Sequence, residues 1–175
     1  MNIEKENLRI RAAKPEDAKL LCAWWNDGDV MAHAGYPNGL GITEQKVVEL
    51  IKTDNDLKRR LIIELNNVPI GEMSYRTLEG KTAEIGIKIC NPSYQNKGYG
   101  SECLKMLMDY IFINMEYEKI VLDTNLRNKR AQYVYEKLGF RKIRVNIDAW
   151  KDQLGELQSS VGYEMSKDEY IKLCG

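Results

Sequence analysis

One glycine-rich segment lies between a strand-like apolar pattern and a helix-like one, and it is the part of the sequence best suited to bind an anion. It reads Gln95-Asn96-Lys97-Gly98-Tyr99-Gly100. Glycines let a backbone approach a ligand closely. The free N–H groups and the dipole at a helix start then favour an anion such as a pyrophosphate. Lys97 adds a positive charge. The alternative interpretation is a tight turn with no ligand.

Two common nucleotide motifs do not fit this segment. A dinucleotide-binding fingerprint requires a third glycine, and Cys103 stands where that glycine should be. A nucleotide P-loop requires Gly-Lys followed by Ser or Thr, and this triplet is missing here. An anion held by this segment should therefore belong to a different cofactor.

The bulk composition limits the classes of function. A chain of 175 residues suits a single domain over residues 1–175, able to form its own core. Lys plus Arg and Asp plus Glu each number 26, so the net charge is zero, which argues against nonspecific nucleic-acid binding. Four cysteines without a C-x-x-C pair and one histidine indicate no metal site.

Localisation can also be predicted from the sequence. No stretch approaches the roughly 18 apolar residues of a membrane-spanning helix. The first 19 residues are rich in charge and lack the apolar centre of a signal peptide. We therefore expect a cytoplasmic protein that does not enter a membrane.

Hydrophobic periodicity gives the order of the elements that position the glycine segment. A strand is followed by helices, three strands, a long helix, a strand, a helix and final strands, which predicts a mixed α/β (α+β) layered fold. Asn66-Asn67 separates two apolar runs and indicates a tight hairpin. Residues 82–90 alternate, with Ile85, Ile87 and Ile89 on one face. Gly139 follows a helical pattern and indicates its end.

Two motifs in this order resemble the signatures of the GNAT superfamily of N-acetyltransferases. Gln95, Gly98 and Gly100 match Q/R-x-x-G-x-G/A at the start of that family's long central helix. Residues 128–140 resemble N-x-x-A-x-x-x-Y-E-K-x-G-F. The resemblance covers residues 8–165, and its specific part is residues 82–140. It is greatest to the branch of ribosomal-protein N-terminal and aminoglycoside 6′-N-acetyltransferases.

The resemblance implies a central twisted mixed sheet with helices on both faces, and acetyl-coenzyme A as the cofactor, released as coenzyme A. The cofactor is expected where two central parallel strands splay apart. Backbone amides would hold the pyrophosphate, those of Gln95, Asn96, Lys97, Gly98, Tyr99 and Gly100. Backbone groups of Ile89 and Cys90 would line the pantetheine arm and polarise the thioester carbonyl. Asn128 would hydrogen-bond the pantetheine, besides serving as a helix N-cap.

Tyr135 is the candidate general acid. When an amine attacks a thioester, a thiolate leaves, and a phenol within hydrogen-bond reach can protonate it. The alternative is a core tyrosine, because Tyr135 shares an apolar helix face with Ala131 and Leu138. The match to the second motif favours the catalytic role.

Glu84 is the candidate general base. Its strand position places it on the face opposite the isoleucines, where a carboxylate in a partly desolvated cleft would have a raised pKa and could accept the proton of an amine. The alternatives are a solvent-facing residue at Glu84 and a base at Glu72 on the neighbouring strand.

The sequence leaves the acceptor open. A protein N-terminus or lysine, an aminoglycoside and a small metabolite amine all fit. Each amine would be acetylated by attacking acetyl-coenzyme A directly in a ternary complex. A different class of function, a domain that binds acetyl-coenzyme A as a sensor or scaffold without turnover, is also open. Chains of this kind often self-associate, and residues 155–165 could contribute to a homodimer.

Overall fold

The computed structural model describes all 175 residues, and eight strands form one sheet in the order β1-β2-β3-β4-β5-β6-β8-β7. The strands are β1 (Asn2–Lys5), β2 (Leu8–Ala12), β3 (Lys58–Leu65), β4 (Val68–Leu78), β5 (Thr82–Ile89), β6 (Lys119–Asn125), β7 (Arg141–Lys151) and β8 (Leu157–Ser166).

Six helices connect and cover these strands. They are α1 (Ala18–Trp25), α2 (Gly28–Met31), α3 (Glu44–Lys52), α4 (Tyr99–Asp109), α5 (Lys129–Lys137) and α6 (Lys167–Cys174). A π-helical turn at Tyr110–Asn114 extends α4. None of these helices is long and apolar enough to span a membrane.

The sheet is mixed because one pair of central strands is parallel. β5 and β6 run parallel, whereas all other neighbouring strands are antiparallel. Parallel neighbours need a long crossover, and here the crossover is the glycine segment followed by α4. This arrangement confirms the predicted fold, a mixed sheet between helices.

Two hydrophobic clusters lie on opposite faces of the sheet. The larger cluster holds α4 and α5 against the sheet through residues such as Leu104, Leu107 and Tyr135. The smaller cluster packs α1 and α3 against Ile62 of β3. Side chains alternate between faces along a strand, so Ala83 and Ile85, which belong to the larger cluster, place Glu84 on the α1–α3 face.

Local signals explain several element boundaries. Asn66 and Asn67 have positive φ values of 50° and 64° and form the predicted tight turn between β3 and β4. Thr43 caps α3 by accepting a hydrogen bond from the amide of Lys46. Gly139 follows α5 with a φ of 99°, a left-handed conformation typical of the residue after a helix.

Two elements differ from the sequence-based expectation. The strand β1 pairs with β2 as an N-terminal hairpin. Its four residues contain no apolar run, and most of them are exposed. The segment of residues 26–41, whose four glycines and one proline are typical of a loop, contains the short helix α2, which Asp27 caps through the amide of Asp29. Both elements are only four residues long, so periodicity does not reveal them.

Candidate active site

The start of α4 presents a row of free backbone donors. The first helical hydrogen bond runs from the amide of Glu102 to the carbonyl of Gly98. The six consecutive amides from Asn96 to Ser101 donate to no other group of the protein. A positive φ at Asn96 (58°) and at Gly98 (83°) curls the chain before the helix. Such a row of donors at a helix N-terminus is suited to a phosphate or pyrophosphate.

The free amides of residues 96–101 form a cradle for an anion, and Gln95 supports this cradle without belonging to it. Its amide N–H donates to the carbonyl of Pro92 at 3.2 Å, so the expectation that this amide holds the pyrophosphate is revised. Its side-chain amide donates to the carbonyl of Ile89 at 2.8 Å and ties the loop to the end of β5. Ser101 joins the cradle in its place, a residue that sequence analysis missed although the first turn of any helix leaves such amides free.

The two glycines of the cradle have different structural reasons. Gly98 needs its positive φ, and a Cβ there would point into open space. At Gly100 a Cβ would meet only the side chains of Ile89 and Ile87, at 3.7 and 3.9 Å, an ordinary contact. A methyl group at position 100 is therefore tolerated by the protein itself.

A gap opens next to the cradle where β5 and β6 separate. Their parallel pairing covers three residue pairs and ends at Glu84 and Val121. β5 continues to Ile89 and β6 to Asn125 without pairing to each other. Each strand therefore has unpaired backbone groups facing the gap, which are suited to an extended, amide-containing arm such as pantetheine.

The backbone of β5 allows one of the two predicted contacts to a thioester carbonyl. The amide of Cys90 donates to the carbonyl of Ile70 at 2.9 Å, so it is not free to polarise another carbonyl, and the expectation for Cys90 is wrong in this respect. Hydrogen-bonding directions alternate along an antiparallel strand. The amide of Ile89 consequently points away from β4, towards the gap.

The thiol of Cys90 is inert. The residue is 3% exposed, and burial, followed by the charge of Glu72, raises the pKa of this thiol far above its usual value. A nucleophilic cysteine needs a thiolate, so the structure gives no support for a covalent acetyl-enzyme at this position.

Tyr135 lies on α5 inside the larger hydrophobic cluster. Its ring contacts Phe140 and Tyr163 edge-on, with centroids 6.3 and 5.6 Å away. Burial, together with the charges of Asp123 and Tyr163, raises the pKa of the Tyr135 phenol to about 12. The hydroxyl has no hydrogen-bond partner in the chain and is not sealed from solvent. Tyr135 is thus a core tyrosine whose protonated hydroxyl remains available.

Glu84 lies on the opposite face of the sheet, at the last paired position of β5. Its side chain is 39% exposed and its carboxylate accepts a hydrogen bond from Arg76 at 2.7 Å. The side chain is therefore less desolvated than the sequence analysis expected of a base. Because Tyr135 and Glu84 lie on different faces, a reacting group can meet both only in the gap between β5 and β6.

Glu72, the rival base, is held more firmly. Its side chain is 13% exposed and forms an ion pair with Lys88 at 3.2 Å. The indole N–H of Trp25 also donates to both carboxylate oxygens, at 2.9 and 3.1 Å. These contacts connect α1 to β4 and β5, so Glu72 has a structural role that Glu84 lacks.

Asn128 is the N-cap of α5. Its side-chain oxygen accepts a hydrogen bond from the amide of Ala131 at 3.1 Å, which is the structural half of its expected role. Its side-chain NH₂ group donates to no protein group and is free for a ligand. The side chain of Lys97, beside the cradle, is exposed and forms no ion pair.

The loop of residues 32–39 is fixed against the far end of β6. Gln153 bonds it three times, through its backbone to Gly35 at 2.8 Å and through its side chain to Asn38 and Gly39 at 2.9 Å each. Asn125, at the end of β6, donates to the carbonyl of His33 at 3.5 Å. More than 90 residues separate these partners, so no local pattern predicts the contacts.

A groove of about 350 Å³ runs along the α1–α3 face of the sheet, next to the gap. Glu84, Val121 and Glu164 are adjacent in register across β5, β6 and β8 and line it. Asp123 and Arg144 also line the groove. The groove reaches the start of the gap at Glu84 and Asp123, on the face opposite α4 and α5.

Comparisons with known proteins agree with this geometry. Residues 7–141 match the family model of the acetyltransferase (GNAT) domain. An uncharacterized N-acetyltransferase of Bacillus subtilis (strain 168), YnaD, is 30% identical over 146 residues, which cover 81% of this chain and 84% of YnaD. A crystal structure of a GNAT-family acetyltransferase from Bacillus anthracis has a TM-score of 0.80 at 26% identity and covers 96% of this chain and 99% of its own.

A further solved structure shares the fold. Spermidine N-acetyltransferase from Vibrio cholerae, in complex with CoA and spermine, has a TM-score of 0.85 at 21% identity, covering 95% of this chain and 99% of its own.

Proposed function

The chain belongs to the GNAT family and is an N-acetyltransferase, and we propose that it transfers an acetyl group from acetyl-coenzyme A directly to a primary amine in a ternary complex. The observation that carries this proposal is the row of six free amides from Asn96 to Ser101 beside the gap between β5 and β6. The CoA complex of the Vibrio cholerae enzyme, which has the same fold, supports the choice of cofactor.

The residues of the site fit the pyrophosphate, the pantetheine arm and the acetyl group of acetyl-coenzyme A. The amides from Asn96 to Ser101 hold the pyrophosphate, with Lys97 adding charge. The unpaired backbone of β5, including Ile89, and the free NH₂ of Asn128 bind the pantetheine arm. Acetyl-coenzyme A supplies an acetyl group activated as a thioester, and the amide of Ile89 is the backbone donor that polarises its carbonyl.

Two side chains manage the protons of the transfer. Glu84 accepts, directly or through one water, the proton that the amine nitrogen loses as the carbon–nitrogen bond forms. Tyr135 hydrogen-bonds the sulfur as the carbon–sulfur bond breaks and provides its proton. With a pKa of about 12, Tyr135 stays protonated at neutral pH. The phenol is a weaker acid than a free thiol, whose pKa is about 8.5, so the phenolate left after the transfer readily takes a proton from solvent, which completes the cycle.

The acceptor classes that fit are a protein N-terminus or lysine, an aminoglycoside and a small metabolite amine. The reaction belongs in the cytoplasm, in keeping with four cysteines that form no disulfide. A homodimer is part of the proposal. The outer edge of β7 is unpaired, and Val145 and Ile147 on it are 44% and 66% exposed, a type of edge that tends to associate. Light scattering after size-exclusion chromatography tests the dimer.

The test of the proposed activity is thiol release from acetyl-coenzyme A, followed with a thiol reagent, over a panel of amines. The panel contains aminoglycosides, polyamines, amino acids and peptides with free N-termini. Release that depends on one amine class is the expected result. Tight binding of acetyl-coenzyme A with no release for any amine, nor for protein acceptors of a cell extract, would instead indicate a sensor or scaffold.

A further inference from the structure

Several charged side chains line the groove on the α1–α3 face, and three of them, Glu79, Asp123 and Arg144, form no ion pair or side-chain hydrogen bond. Glu84 is paired with Arg76, and Glu164 is paired with Lys119 at 3.5 Å and with Arg141 at 3.0 Å. The carboxylate of Asp123 and the guanidinium of Arg144 differ from these, because neither forms an ion pair or a side-chain hydrogen bond. Both line the groove.

A glycine separates these two charges. Asp123 of β6 and Arg144 of β7 are both in register with Gly162 of β8, so all three residues face the same side of the sheet. A Cβ on Gly162 would lie 3.2 Å from both Cγ and Nε of Arg144. The arginine side chain therefore lies over the glycine, in space that any other residue would occupy.

The two charges are carried by β6 and β7, which are not neighbouring strands. Neighbouring strands are about 4.8 Å apart, so the backbones of β6 and β7 are about 10 Å apart across β8. The Arg144 side chain lies over Gly162 and extends from β7 towards Asp123, so the two charges are closer than the backbones, a separation suited to a small molecule with one positive and one negative end. Asp123 can accept hydrogen bonds from an ammonium group, and a guanidinium forms paired hydrogen bonds with a carboxylate.

We propose that Asp123 and Arg144 form the acceptor subsite and select an amine that also carries a carboxylate, as in an amino acid or a short peptide. This inference rests on the proposed function and names the substrate class of the same site. The amine end lies at Asp123, on the side of β8 that faces the gap, and the carboxylate end lies at Arg144, farther from it.

The position of Asp123 relative to the gap supports this orientation. Asp123 is two residues beyond Val121, the last residue of β6 that pairs with β5, and its charge contributes to the raised pKa of Tyr135. An ammonium group held by Asp123 therefore lies near both proposed catalytic side chains, Glu84 and Tyr135. Polyamines lack a partner for Arg144, and its positive charge repels their second ammonium group.

The experiment compares matched amines that differ only in the carboxylate: lysine with cadaverine, and ornithine with putrescine. The wild-type protein is expected to show a kcat/KM at least tenfold higher for the carboxylated member of each pair, the effect of one charge-assisted hydrogen-bond pair. R144Q should reduce this ratio by about tenfold or more, whereas R144K should retain part of it. D123N should lower kcat/KM for all four amines.

A matched control lies on the same strand. Arg141 is also a β7 arginine, but it pairs with Glu164 and Glu169 and does not lie over Gly162. R141Q should leave the ratio unchanged. G162A, whose methyl group would lie 3.2 Å from Cγ and Nε of Arg144 and so displaces that side chain slightly without removing either charge, should lower the ratio less than R144Q does, and circular dichroism confirms that it folds.

The outcomes separate this inference from the proposed function. Transfer to amines with no preference for the carboxylated members, or a preference that R144Q leaves intact, would overturn the subsite and leave the acetyltransferase activity standing. An absence of transfer to every amine, with acetyl-coenzyme A bound, would overturn both.

Discussion

Arg76 donates a 2.7 Å hydrogen bond to the carboxylate of Glu84 at the last residue pair that joins β5 to β6. This pair places a carboxylate where the two strands begin to separate. If Glu84 is the base, E84Q should lower kcat by about 10²-fold or more, because it removes the proton acceptor while keeping the shape of the side chain. Steady-state thiol release with saturating amine measures the loss.

The comparison variant for the base is E72Q. Glu72 holds Trp25 and Lys88, so E72Q should lower thermal stability more than E84Q does and lower kcat less. A larger loss of kcat in E72Q than in E84Q, with the fold intact, would transfer the role of base to Glu72.

Removal of the Tyr135 hydroxyl should affect catalysis and leave the fold intact. The hydroxyl has no hydrogen-bond partner in the protein, so the free energy of unfolding of Y135F should lie within about 0.5 kcal/mol of the wild-type value. Its kcat should fall by about 10²-fold or more because the departing sulfur loses its proton donor. A variant with unchanged kcat would show that Tyr135 is only a core residue.

The raised pKa of Tyr135 also predicts a pH profile. Burial raises this pKa to about 12, so the phenol keeps its proton beyond the ordinary tyrosine value of about 10. The kcat of the wild type should therefore show no decline from tyrosine ionisation as the pH rises from 7 to about 10. A decline in this interval that is missing in Y135F would contradict the raised pKa.

The pyrophosphate cradle is best tested at Gly100. The methyl group of G100A makes only ordinary contacts in the protein and removes the helical cost of glycine, up to about 1 kcal/mol. It should therefore keep or raise stability. It should also lower the affinity for acetyl-coenzyme A by about tenfold or more, since the methyl group obstructs close approach to the free amides. Calorimetry of binding, with thermal melting beside it, measures both effects.

The control for the cradle is G98A. Gly98 requires a φ of 83°, so an alanine strains the loop and should lower both stability and affinity. Unchanged affinity in G100A would show that the pyrophosphate does not lie against the start of α4.

The ion pairs that join Glu64 of β3 to Arg9 and Arg11 of β2 should make the fold sensitive to acid. Burial alone raises the pKa of Glu64, but hydrogen bonds from Arg9 and Arg11 outweigh it and hold this pKa below 4.5. The stabilisation is complete above 4.5, the value in the unfolded chain, and is lost as the pH falls through the lower folded-state pKa. E64Q should have a flatter dependence of unfolding free energy on pH in this acidic range.

Urea denaturation between about pH 6 and 3 measures this slope. The matched control is E49Q, because Glu49 is 53% exposed and pairs with Lys46 three residues away. Equal slopes in E64Q and the wild type would show that the Glu64 network does not contribute to acid sensitivity.

Local sequence signals account for much of this architecture. Asn66-Asn67, Thr43 and Gly139 each have a conformation that these residue types favour, and the alternation along β5 correctly separates Glu84 from the isoleucines. These features depend on neighbouring residues along the chain. The short, polar β1 lacks such a signal, and its pairing with β2 came from the structure.

The remaining features of the site depend on contacts between distant parts of the chain. The amide of Cys90 is occupied because β4 presents the carbonyl of Ile70 to it. Asp123, Gly162 and Arg144 become neighbours because β8 lies between β6 and β7 in the sheet. Neither strand order nor register can be derived from the periodicity of a single strand, so these residues were missing from the predicted site.

Direct acetyl transfer in a ternary complex is tested by a two-substrate velocity matrix, in which the concentrations of acetyl-coenzyme A and the preferred amine are both varied. Direct transfer in a ternary complex predicts double-reciprocal lines that intersect, and thiol release that requires the amine. Parallel lines, with a burst of thiol release before the amine is added, would show a covalent acetyl-enzyme and exclude direct transfer.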